Sequence, residues 1–261
     1  MTDPSPHRLP PPPPSFQSQH VVANGLRFHV VAGGPSDGPP VLFLHGFPEF
    51  WYSWRHQMIA LASAGYRVFA PDLRGYGSSD KPAGVAAYTM DALLSDVVGL
   101  VDALGCGPVT LVGHDWGGTI AWTTAASPSH RHVVRRLAVM NAPHPAAFLR
   151  NLTAAQLRRS WYMLFFQLPA LPERALSRDD YRNLRRTLTR AAVRPDTFTA
   201  TDLDFYVAAM SQPGALSSAL NYYRGLLRIN PVAALGRLRP IPTDLPVLLV
   251  WGERDLALGV E

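Results

Sequence analysis

The sequence predicts an α/β fold: a mostly parallel sheet with helices on both faces, interrupted by an inserted helical cap. Short β-rich runs alternate with helix-like segments over most of the chain, a rhythm that buries one sheet between two layers of helices. Between about residues 146 and 236 that rhythm gives way to helix-type periodicity alone.

The elements follow in order. Pro10 to Pro14 are consecutive, so residues 1–19 are expected to form an extended, disordered polyproline arm; they contain no apolar segment of the kind a secretory signal needs. Runs at 20–23 and 26–32 flank Asn24-Gly25. This dipeptide suits a two-residue hairpin turn because both positions tolerate positive φ, which puts an antiparallel pair at one end of the sheet. Further runs lie at 41–44, 66–70, 109–113 and 135–140. Val41–Leu44 and Val109–Gly113 are nearly all apolar, as strands covered on both faces must be. The cap, 146–236, is punctuated by Pro169, Pro172, Pro195, Pro213 and Pro231, and the strand pattern returns at 246–251. The predicted organisation is therefore an arm at 1–19, a core at 20–145, the cap at 146–236 and a second core segment at 237–261.

Composition narrows the function classes. With 47% hydrophobic and 16% charged residues the chain reads as globular, and no apolar run approaches the roughly 20 residues that cross a bilayer, so no membrane partner is expected. The net charge of +5 comes from arginines and one lysine, Lys81. The densest group, Arg182, Arg185, Arg186, Arg190 and Arg194, has the spacing of a solvated helix face rather than a nucleic-acid stripe. Cys106 is the single cysteine, which excludes an internal disulfide and a cysteine-based zinc site and fits a reducing, cytoplasmic compartment.

The sharpest motif is Val109-Thr110-Leu111-Val112-Gly113-His114-Asp115-Trp116-Gly117-Gly118. An apolar strand running into Gly-x-nucleophile-x-Gly is the strained elbow that presents a nucleophile above a sheet, with a helix N-terminus beyond it. The nucleophile position holds Asp115. A carboxylate with an ordinary pKa of about 3.9 is ionised at neutral pH and needs no base before it attacks. Its product with a saturated carbon is an alkyl ester. An aspartate alone at such a place reads as a helix cap; the flanking glycines set this one apart. A second motif, His45-Gly46-Phe47-Pro48-Glu49 followed by Trp51 and Trp54, ends the third strand.

With HGFPEFWYSWRHQ, APDLRGYGSSDKP and LVGHDWGG, the chain resembles the epoxide hydrolase branch of the α/β-hydrolase family over about residues 20 to 261. The resemblance implies the α/β-hydrolase fold and a small apolar epoxide and water as reactants, without metal or cofactor. It implies that Asp115 is the nucleophile, that the N–H groups of Phe47 and Trp116 form an oxyanion hole, and that Tyr162 and Tyr223 in the cap act as acids toward the epoxide oxygen. It also implies that Asp255, after the seventh strand, orients a histidine, and that His45, Pro48, Trp51 and Phe165 line the substrate site; Trp161 and Phe166 suggest further apolar wall. The family's histidine follows an eighth strand, whereas the last histidine here is His144. The 261 residues are thus expected to lack the last strand, the C-terminal helix and the water-activating base, leaving Val247–Val250 at an open sheet edge. Two other readings remain: a haloalkane dehalogenase, which shares the aspartate elbow, and a non-catalytic ligand-binding homologue. Oligomeric state is not legible.

Overall fold

The computed structural model describes residues 8–227, 240–242 and 244–259. In chain order the first part of the core holds β1 (Gln17–Ala23), β2 (Leu26–Gly33), β3 (Pro40–Leu44), α1 (Arg55–Ser63), β4 (Arg67–Pro71), α2 (Met90–Leu104), β5 (Val109–His114), α3 (Trp116–Ala126) and β6 (Val134–Met140). The helical stretch follows with α4 (Pro145–Arg150), α5 (Ala154–Arg159), α6 (Trp161–Phe165), α7 (Leu171–Ala191), α8 (Ala200–Ser211) and α9 (Ala215–Leu227), and β7 (Val247–Val250) closes the series.

One sheet takes the seven strands in the order β1-β2-β4-β3-β5-β6-β7. β1 pairs antiparallel with β2, and β2 with β4, while β4, β3, β5, β6 and β7 run parallel. The hairpin turn has φ of 47° at Asn24 and 73° at Gly25, the paired positive values that match a turn to twisted strands. Alternation along the central strands divides the core in two. Leu42, Leu44, Phe69 and Leu111 face a cluster with Leu93, Val97 and Leu100 of α2 and Ile120 of α3. Val41, Phe43, Val68 and Val112 face another with Trp51, Trp54 and Met58. Strands covered on both sides in this way read as continuous apolar runs.

The arm departs from expectation. β1 starts at Gln17, Pro10 is buried, and Leu9 and Phe16 pack on the second cluster. Gly33 leaves room for the Phe16 ring, which a side chain there would strike. Residues 1–7 of the predicted arm lie outside the described residues, as does the predicted boundary between 236 and 237. Within the cap, α7 is broken at Arg178–Tyr181, where the backbone leaves helical geometry. Arg182, Arg186, Arg190 and Arg194 are exposed as expected, whereas Arg185 is half-buried between Asp180 and Asp204. Among the described residues no helix is long and apolar enough to cross a membrane.

Candidate active site

Three segments at the C-terminal ends of parallel strands meet above the sheet, the place where open α/β sheets hold their ligands. At the end of β5, Asp115 takes φ 52° and ψ −119°, a strained conformation that aims its side chain away from the strand. Close packing makes that turn possible. A Cβ at Gly117 would strike the Leu44 and His45 carbonyls, and one at Gly46 would strike the Asp115 side chain, so the elbow and the loop after β3 can approach only with glycine at both places.

The Phe47 N–H donates to Asp115 Oδ1 at 2.7 Å, and the Trp116 N–H supports the same carboxylate. Two backbone donors thus fall on this one carboxylate. Burial raises the Asp115 pKa above its ordinary 3.8, against the pull of the His114 charge and the two N–H groups.

Glu49 and His114, quoted in the motifs without an assigned task, lock this arrangement. His114 Nδ1 lies 3.0 Å from Glu49 Oε2, and that oxygen also accepts the Gly46 N–H at 3.3 Å. Although burial lowers the His114 pKa, the Glu49 charge outweighs it and pushes the value up to about 9. His114 is therefore a cation at neutral pH. The pair ties the loop after β3 to the elbow.

From the cap, Tyr162 on α6 and Tyr223 on α9 approach the same carboxylate. Their ring centroids are 5.9 Å apart, and Tyr223 packs edge-on against Phe47 and Trp116. Burial, then the Asp115 charge, raises both phenol pKa values, keeping them protonated donors. The neighbouring Tyr222 hydroxyl donates instead to the Arg74 carbonyl at 2.8 Å, so Tyr222 fastens α9 to the core. Asp255 follows β7 and accepts from Asn141 Nδ2 at 2.6 Å and from the N–H groups of Ala257 and Leu258. Asn141, with φ 44° just past β6, was missed in the sequence; its only local signal is the turn preference of asparagine.

The residues expected to line the substrate site divide. Pro48 is buried in the loop beside Phe47, with a cis bond between them. The His45 ring is fully buried, placed between the Gly46 carbonyl and the Leu73 N–H, which makes it a pin for the loop rather than a wall. Trp51 is 2% exposed and belongs to the second core cluster with Phe43 and Phe50. Phe165 is half-buried against Phe166. Phe166 itself contacts Phe47, Tyr162 and Tyr223 and takes the central place expected of Phe165. Trp161 is 63% exposed, on the outer face of α6.

A mostly parallel sheet with an antiparallel end, a Gly-x-Asp-x-Gly elbow after its central strand and a helical insertion before β7 defines an α/β-hydrolase. Residues 39–259 match the family model described as the alpha/beta hydrolase fold, and the chain belongs to that family. It is 43% identical over 247 residues to epoxide hydrolase 4 of Mus musculus, covering 92% of this chain and 66% of that protein, just under two thirds. It is 40% identical over 245 residues to the AB hydrolase superfamily protein YfhM of Bacillus subtilis, covering 92% of this chain and 82% of that one. A Bacillus megaterium epoxide hydrolase, solved in complex with an inhibitor, superposes with a TM-score of 0.79 at 32% identity, over 93% of this chain and 85% of that one.

Proposed function

We propose that this chain carries the machinery of an epoxide hydrolase that works through an ester on Asp115. Asp115 Oδ2 attacks an epoxide carbon, the carbon–oxygen bond opens, and the departing oxygen takes a proton from Tyr162 or Tyr223. Oδ1 becomes the carbonyl oxygen of the ester. It already accepts the Phe47 N–H, with the Trp116 N–H on the same carboxylate, where charge develops when water attacks the ester carbon, and a donor so placed is worth roughly 2.7–4 kcal/mol. Hydrolysis then releases a vicinal diol and restores the carboxylate, and the proton that the water loses returns to the tyrosinate. The convergence of two protonated tyrosines and two backbone donors on one carboxylate carries this reading, and the epoxide hydrolases among its relatives support it.

Asp255, held by Asn141, is proposed to orient the base for the second step. The resemblance places that histidine beyond Asp255, and no histidine of the 261 residues follows His144. A polypeptide limited to residues 1–261, whatever follows them in the protein, is therefore expected to form the ester and retain it. Incubation with an aromatic epoxide, followed by intact-mass measurement beside an Asp115→Asn control, tests both statements. One stable adduct confined to the parent is expected. A folded parent without an adduct overturns the reading, and repeated turnover overturns the assignment of the second step.

A further inference from the structure

A second set of residues with nucleophilic chemistry lies away from Asp115, at the antiparallel end of the sheet. The ring of His29 on β2 has Nδ1 2.9 Å from Asp72 Oδ2 and Nε2 2.8 Å from Ser18 Oγ on β1. Pairing of His20 with His29 makes Ser18 a diagonal neighbour of His29 on the same face, within reach of a long side chain. Asp72 is fully buried, and its carboxylate also accepts the Trp51 and Ser78 N–H groups. Burial opposes its charge, but the hydrogen bond from His29 prevails and holds the Asp72 pKa below 3.8.

An ionised carboxylate at Nδ1 keeps the imidazole proton there and leaves Nε2 to accept the serine proton. The base is held firmly: His29 is 8% exposed, and its backbone N–H donates to Ser79 Oγ. Ser18, by contrast, is exposed. Buried acid, fixed base and open hydroxyl stand in the order and at the distances of a nucleophilic triad.

We propose that Ser18, His29 and Asp72 form a second nucleophilic centre, one that accepts acyl groups from small activated carboxylic esters. Ser18 Oγ attacks the acyl carbon while its proton passes to His29 Nε2; the alcohol or phenol then leaves with the bonding electron pair and takes that proton from His29, which is again a neutral base. Water, deprotonated by His29, then cleaves the acyl-serine to free acid and restores the hydroxyl. Ser18 stands in an exposed strand rather than at a helix N-terminus. The reaction thus draws on its base and forgoes oxyanion donors that are worth about 10²–10³ each, which confines it to esters with a good leaving group. It requires none of the residues around Asp115.

The test uses p-nitrophenyl acetate and the 261-residue chain, with phenolate release followed by absorbance and the acetylated residue located by peptide mass mapping. Base assistance typically contributes about 10²–10⁴, so Ser18 should be acetylated at least about a hundredfold faster than exposed Ser63. Ser18→Ala should lose this acetyl group with its near-UV circular dichroism unchanged, since the side chain it shortens is on the surface. Acetylation of Ser18 no faster than Ser63, or an undiminished phenolate burst from folded Ser18→Ala, overturns the proposal.

Discussion

At the scale of single residues, adjacent tyrosines on one helix meet different neighbours. Tyr222 reaches the Arg74 carbonyl, whereas Tyr223 stands among Phe47, Trp116 and Tyr162 beside Asp115. Tyr223→Phe is expected to slow alkylation of Asp115 by about 10²–10⁴ with little change in stability. Tyr222→Phe should cost about 0.5–1.5 kcal/mol of stability, the usual worth of one hydrogen bond; adduct-formation rates and urea midpoints read the two effects. The same site sets a pH profile. On the proposed mechanism attack requires ionised Asp115, whose pKa burial raises above 3.8, so the alkylation rate should fall on acidification through a midpoint above that value. Because both phenols titrate above 10, no alkaline loss below pH 10 should come from them.

At the scale of elements, the elbow and the loop after β3 form one unit, joined by glycine contacts and by the His114–Glu49 pair. The His114 pKa rises from 6.5 to about 9, so its stabilising contribution is complete below 6.5 and is lost as pH rises through about 9. The Glu49 pKa lies below 4.5: burial opposes its charge, but His114 outweighs burial. Its contribution is present above 4.5 and is lost as pH falls through the lowered value. Urea midpoints should therefore decline between about pH 6.5 and pH 9 in the parent, and Glu49→Gln should remove that decline. The motif HGFPE was visible in the sequence, and so was the elbow. Their mutual lock was not, because Glu49 and His114 are brought together by the parallel pairing of β3 with β5.

At the scale of the whole molecule, the margin of the sheet among the described residues is the apolar strand β7. β7 pairs with β6, and Val247, Leu248, Leu249 and Val250 are 42–58% exposed. Exposed apolar edges invite pairing between chains, and a lysine on the edge discourages it. Leu248→Lys is accordingly expected to reduce self-association of the 261-residue polypeptide, measured by light scattering; an unchanged mass distribution would remove the edge as a cause.

The sequence by itself determined the fold class, the hairpin at Asn24-Gly25, the positions of the central strands, the aspartate elbow and the helical character of the cap. These are local properties: side-chain period, turn chemistry and close-packed glycines are written in neighbouring residues. The start of β1 at Gln17 escaped because its polar edge residues carry no apolar alternation. Only the tertiary structure decided that His45 is a pin, that Trp51 belongs to the core, that Phe166 rather than Phe165 meets the tyrosines, and that Asn141 holds Asp255. It also brought Ser18, His29 and Asp72 together. Each of these depends on strand order and register, which join residues far apart in the chain, and no local pattern records such a meeting.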